Sequence, residues 1–178
     1  MVQFNTTSAN EIVVESEALR LLVQPLCGGK IKSLFSKTTG REFFWQDPRT
    51  VLSPRDYVAH DLSGYDECLP TIADCLYPDE PFKGRSLGDH GSVWDREWEA
   101  RIEGDRVVTS VSASTLPLTL NRTLSLPEPR RVRLDYAITN ASEHYLKFVW
   151  SAHPCFAVGV GSRVVFPDSV KAMRVCIP

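Results

Sequence analysis

Two histidines stand in settings that could hold an imidazole against a ligand. His90 lies in "SLGDHGSVWDREW" (86–98), between Asp89 and Gly91 in a loop rich in Gly and Asp, with Trp94 and Trp98 close behind. His153 lies in "LKFVWSAHPCF" (146–156), a run with strand character. A period-2 reading turns Leu146, Phe148, Trp150, Ala152 and Phe156 one way and Lys147, Val149, Ser151, His153 and Cys155 the other. His153 thus opposes the bulky face, on a surface that is neither cleanly apolar nor cleanly charged. The floor of a cleft on the open side of a sheet would read this way. An imidazole has an ordinary pKa of about 6.5, so it exchanges a proton near neutral pH without large tuning. The competing reading is structural: a strand His satisfied by a carbonyl and a loop His capping a turn. The two readings separate on whether His90 and His153 converge.

Other polar residues carry the same ambiguity. Asp66 and Glu67, in "GYDECLP", either cap the turn before Pro70 or face a ligand. Trp94 offers an apolar plate or belongs to the core, and Trp98 reads as core. Arg122 falls in register with Leu118, Leu120, Leu124 and Leu126, so it is paired, snorkelled or ligand-facing, with Asp135 on the next strand as an available partner. His60 and His144 sit in turn-like contexts and are assigned to the surface. Cys68, Cys75, His153 and Cys155 match no zinc spacing, and no His/Glu cluster of a cupin kind is present, so neither a metal nor another cofactor is expected.

The elements that must position these groups are strands. Helical periodicity is nearly absent. Short alternating or β-branched runs recur between turn signals: "EIVVES", "LRLLVQP", "KIKSLFS", "REFFW", "EWEARI", "RVVTSVSAS", "LTLNRTLSL" and "RVRLDYAITN". The pattern predicts an all-β fold, an antiparallel sandwich or barrel, in one domain over 1–178. Residues 46–91 differ, being crowded with Pro, Asp, Gly and Tyr. Their aromatic and Cys content (Tyr57, Tyr65, Cys68, Cys75, Tyr77, Phe82) favours an ordered, packed excursion over a linker.

Bulk properties narrow the partners. A formal charge of -2 and the lack of a Lys/Arg-rich run argue against nucleic acid. No segment approaches the length of a membrane span, and the N-terminus has no signal-peptide character, so a cytoplasmic protein is expected. Five cysteines without a C-x-x-C pair read as reduced, mostly buried thiols.

The segments "GYDECLPTIADCLYP", "LGDHGSVWDREW" and "VWSAHPCFAV", in that order and preceded by "LCGGKIKSLFSKTTGREFFW", resemble the galactose mutarotase-like superfamily, to which aldose 1-epimerases belong. The resemblance runs from about Gly28 to Phe156. It implies an antiparallel β-sandwich, the supersandwich of that superfamily, whose concave sheet holds a monosaccharide or sugar derivative. It also implies interconversion of α and β anomers by ring opening without metal or cofactor. His153 matches the family's acid, and His90 the earlier His that holds and polarises the sugar. Asp66, Glu67, Asp89 and Trp94 are then expected around the substrate.

Two departures accompany the resemblance. The family's base is a glutamate far toward the C-terminus, whereas no Glu follows Glu143 here and Asp168 is the only acid beyond His153. The chain therefore reads as the N-terminal portion of a larger mutarotase-like domain or as a natural member without the usual base. An incomplete sandwich would expose an apolar edge and promote self-association. The family's sugar-binding Arg is replaced by Gly64-Tyr65-Asp66-Glu67, which points to a substrate other than glucose or galactose. A non-catalytic carbohydrate-binding module on the same fold is the alternative to an isomerase.

Overall fold

In the computed structural model, which describes residues 2–49 and 59–172, strands follow one another with no helix among the described residues. Strands β1 (Gln3–Thr6), β2 (Ile12–Glu15), β3 (Leu19–Gln24) and β4 (Lys30–Ser36) form an antiparallel meander, and β5 (Arg41–Glu42) pairs with the end of β4. Next come β6 (Tyr65–Cys68) and the small hairpin β7 (Cys75–Leu76) and β8 (Ser86–Leu87). A second meander comprises β9 (Glu99–Glu103), β10 (Arg106–Ser112), β11 (Leu118–Glu128) and β12 (Arg131–Asn140), and β13 (Ser151–Pro154) returns to the first sheet. The larger sheet has the order β1-β2-β3-β4-β6-β13, and the smaller one β12-β11-β10-β9.

Alternation explains how the two sheets meet. Along β11, Leu118, Leu120, Arg122, Leu124 and Leu126 are buried while every residue between them is half-buried. Val14, Leu21, Val23, Ile31 and Tyr65 of the larger sheet pack against Val107, Leu124 and Leu126 of the smaller. Each such fully buried aliphatic side chain contributes roughly 1.5–3 kcal/mol of transfer free energy. The result is an antiparallel β-sandwich, as the period-2 runs predict.

The excursion between the meanders is packed. Leu69, Tyr77, Leu87 and Val93 form a second buried cluster with Trp98, Val111 and Leu120. Tyr57 and Cys176 lie outside the described residues. The thiols depart from expectation: of the four described, Cys68 is buried, Cys27 and Cys155 are intermediate, and Cys75 is exposed. Burial pushes the Cys68 thiol up to about 12.

The last strand is shorter than its sequence pattern. Only Ser151–Pro154 pairs regularly, because its partner β6 has just four residues, and single bonds from Val149 N to Pro70 O and from Cys155 N to Gly64 O continue the contact on either side. β13 and β12 each end their sheet, and between the sheets lies an apolar opening of about 200 Å³ lined by Leu21, Ile31, Phe44, Val132, Leu134 and Phe156. Val158, Val160, Val164 and Val165 follow β13 as exposed side chains.

Candidate acid–base site on the outer face of the larger sheet

β6 divides its side chains between two compartments. Tyr65 and Glu67 turn inward to the smaller sheet, whereas Asp66 turns to the opposite face. β13 runs antiparallel to β6 with His153 directly opposite Asp66, and its Nδ1 is 2.9 Å from Asp66 Oδ1. The sequence separation is 87 residues, so only strand pairing makes this contact. Asp66 Oδ2 accepts from Lys30 Nζ at 3.4 Å, and both side chains are buried. Burial works against the charge on Asp66, but the His153 hydrogen bond and the Lys30 cation prevail and hold its carboxyl below the ordinary value.

His90 reaches the same place from the loop. Its ring lies edge-on to that of His153, with centroids 5.0 Å apart. The backbone at His90 has φ 59°, a left-handed conformation costing a non-glycine residue of order 1–3 kcal/mol. Two contacts anchor it: His90 N donates to Ile72 O at 3.0 Å, and Ser92 N donates to Leu69 O at 2.8 Å. Gly91, at φ 80°, must be glycine, because a Cβ there would lie 2.1 Å from Leu69 O. Asp89 Oδ2 is 3.0 Å from His90 Nδ1. At His153 the hydrogen bond between Nδ1 and Asp66 leaves Nε2 as the ring nitrogen turned from that carboxylate. The His90 side chain is 19% exposed and that of His153 36%, so solvent reaches the pair.

The remaining expected residues divide. Asp66 and Asp89 sit at the histidine pair. Glu67 does not: its side chain is fully enclosed between the sheets, where Oε1 accepts from Arg122 Nη1 at 2.8 Å and from the Tyr136 hydroxyl at 2.8 Å. The correction follows from alternation, since consecutive strand residues cannot share a face. Arg122 likewise pairs with Glu67 and donates to Gly29 O, with its guanidinium 4.8 Å from the Trp98 ring, while Asp135 pairs with the exposed Arg133. Tyr136 spends its proton on Glu67, so the Tyr65 hydroxyl is the donor across the 2.7 Å contact between them. Burial pushes Tyr65 up to about 12, which keeps that donor protonated.

Trp94 is buried at 5% exposure, and its indole N–H donates to Asp89 O at 3.2 Å, tying it to the loop that carries His90. Its ring packs 5.0 Å from His60, which is buried and not the surface residue its turn-like context suggested. Both line a depression of about 360 Å³ with Leu26 and Cys27. Trp98 is core and His144 is exposed, as expected. Among the described residues no three His, Cys, Asp or Glu side chains gather into a metal-binding group. Sequence reasoning missed Lys30; its signal was Ile31 beside it, which as a core residue sends Lys30 to the opposite face.

No family model and no curated protein sequence matches the chain. Solved structures do. A galactose mutarotase-like protein from Lactobacillus casei ATCC 334 superimposes with a TM-score of 0.69 at 19% identity, over 84% of this chain and 50% of that one. The Slr1438 protein from Synechocystis sp. PCC 6803 superimposes with a TM-score of 0.68 at 20% identity, over 88% of this chain and 57% of that one. The chain has the galactose mutarotase-like fold. It spans about half the length of these two neighbours. In this mutarotase-like fold the outer face of the larger sheet carries His153, Asp66 and Lys30, and the loop brings His90 over them. No helix among the described residues is long and apolar enough to cross a membrane.

Proposed function

We propose that the protein acts on an aldose, opening and reclosing its ring by acid–base chemistry as an aldose 1-epimerase does, with His153 as the acid and His90 as the group that holds and polarises the sugar. The observation that carries this reading is the convergence of the two rings at 5.0 Å, which core packing gives no reason to expect of a loop residue and a strand residue. His153, as the imidazolium, gives its Nε2 proton to the ring oxygen as the C1–O5 bond breaks and the proton on O1 passes to solvent water, which reaches the site. Rotation about C1–C2 and reclosure then give the other anomer. The likeness in fold to a galactose mutarotase-like protein supports the substrate class.

A second reading, a carbohydrate-binding module without turnover, is favoured by one observation. Asp66 is engaged by both His153 and Lys30, and Glu67 is sealed against Arg122, so neither carboxylate is placed to take the O1 proton. A positioned acid or base is typically worth 10²–10⁴-fold, so turnover without the second partner is slow by about that factor.

Polarimetry of freshly dissolved α-D-glucose and α-D-galactose, alongside sugar titrations followed by NMR, separates the two readings. The enzyme reading predicts an acceleration over buffer that His153→Ala abolishes. Shifts at His90 and His153 without acceleration establish the binding module. Neither shifts nor acceleration with any aldose would sink both.

A further inference from the structure

Lys30 is a buried cation that the acid–base reading leaves without a task. Its side chain is 1% exposed. It opens β4, and because Ile31 belongs to the core between the sheets, Lys30 turns to the other face, toward Asp66 and His153. Nζ donates there to Ser63 O at 3.0 Å, to Asp61 O, and to Asp66 Oδ2 at 3.4 Å. A buried ammonium persists only when so surrounded. The Asp66 carboxylate is therefore bracketed, with one oxygen toward Lys30 and the other toward His153 Nδ1.

Other ionisable groups face this cluster from every side. Cys68 is two residues along β6 and Cys155 lies just past β13; both thiols feel the Asp66 charge. Lys32 contacts Asp61 beside the Lys30 head group, His90 packs on the His153 ring with Asp89 against its own Nδ1, and Glu67 faces the opposite compartment with Arg122.

We propose that Lys30 is a positioning residue that keeps Asp66 a carboxylate, so that the proton shared between Asp66 and His153 resides on Nδ1 and the ring presents Nε2 to the ligand. Without a neighbouring cation, a buried carboxylate and imidazole lower their desolvation cost by moving that proton onto the carboxyl group. The neutral acid then donates to Nδ1, and in the neutral ring Nε2 carries the remaining proton. Lys30 makes that transfer unfavourable, because it would leave the ammonium buried beside a neutral acid. The catalytic consequence rests on the reading of His153 as an acid, in which the imidazolium gives its Nε2 proton to the ring oxygen and is left as the Nδ1–H tautomer that Asp66 holds, a stronger acid than the neutral Nε2–H ring of the variant; the placement of the proton does not.

Nitrogen-15 NMR of the His153 ring, recorded without sugar at a pH where the ring is neutral, reads the tautomer. The expected wild-type result is protonated Nδ1 and unprotonated Nε2. In Lys30→Met the Nε2–H form appears and the Asp66 carboxyl, followed by carbon-13 NMR, titrates at higher pH; Lys30→Arg restores both. A wild-type ring protonated at Nε2 overturns the proposal even if Lys30→Met does not fold. A folded Lys30→Met with wild-type tautomer and wild-type Asp66 titration overturns it as well. If the wild type turns over an aldose, Lys30→Met lowers kcat by about 10²-fold with little change in KM. Absent turnover with the Nδ1–H tautomer intact overturns the enzymatic reading and leaves the proton placement standing.

Discussion

His153 and Asp66 face each other across β13 and β6 as direct antiparallel partners, Nδ1 to Oδ1 at 2.9 Å, with the ring of His90 against that of His153. The pair joins a solvent-reached imidazole to a buried carboxylate, and the first prediction follows from that asymmetry. Asp66→Asn keeps the shape and removes the charge that orients the imidazole. Any acceleration of mutarotation should fall by about 10²-fold or more, as read by polarimetry, while sugar-induced shifts at His90 persist. An Asp66→Asn protein as active as the wild type would show that the carboxylate does not serve His153.

The same carboxylate makes stability depend on acid pH with a definite sign. Its folded pKa is below the unfolded value of about 3.9. Between the two values the unfolded chain binds more protons, so the Asp66 contribution is present above about pH 4 and is lost as pH falls through the folded value. The urea midpoint of the wild type should therefore drop more steeply below pH 4 than that of Asp66→Asn. Burial raises the Glu67 carboxyl, which acts in the opposite sense in both proteins and cancels in the comparison.

The inter-sheet pair Arg122–Glu67 invites a double-mutant cycle. Arg122→Met strands a carboxylate with no exposed surface and should cost about 3–5 kcal/mol in chemical denaturation. Adding Glu67→Met removes the orphaned charge and should recover most of the loss. A double variant no more stable than Arg122→Met would mean that packing of the guanidinium on Trp98, not charge, is what the arginine supplies.

Two glycines with the same backbone angle separate strain from crowding. Gly84 and Gly91 both have φ 80°, but a Cβ at Gly84 meets nothing within 4 Å, whereas one at Gly91 meets Leu69 O at 2.1 Å. Gly84→Ala should cost about 1 kcal/mol from the left-handed conformation alone. Gly91→Ala should cost clearly more and displace the loop, visible as loss of NMR contacts between His90 and His153. Equal effects at the two positions would refute the close approach.

The opening between β12 and β13 should behave as an apolar surface. Val132, Leu134 and Phe156 line it, and Val158, Val160 and Val165 are exposed in the segment that follows β13. Light scattering should show association that rises with concentration, and Val160→Lys with Val165→Lys should reduce it. A monodisperse monomer at high concentration would contradict this.

Much of the architecture follows from local pattern. The alternating run from Leu118 to Leu126 determined which side of β11 is buried, and Glu103-Gly104-Asp105 marked the turn between β9 and β10, because side-chain alternation and glycine conformation are properties of neighbouring residues. The same alternation puts Asp66 and Glu67 on opposite faces of β6, yet it does not say which face meets the smaller sheet. Only the tertiary structure decided that Glu67 goes inward to Arg122 and Asp66 outward to His153, since the choice is made by pairing between strands far apart in sequence. Residue types singled out His90 and His153 as candidates. Their meeting required β6 to lie between β4 and β13 and the loop to cross back over it. Lys30 escaped notice for the same reason: a lysine beside an isoleucine is unremarkable until the sheet closes around it and a buried charge must find its partner.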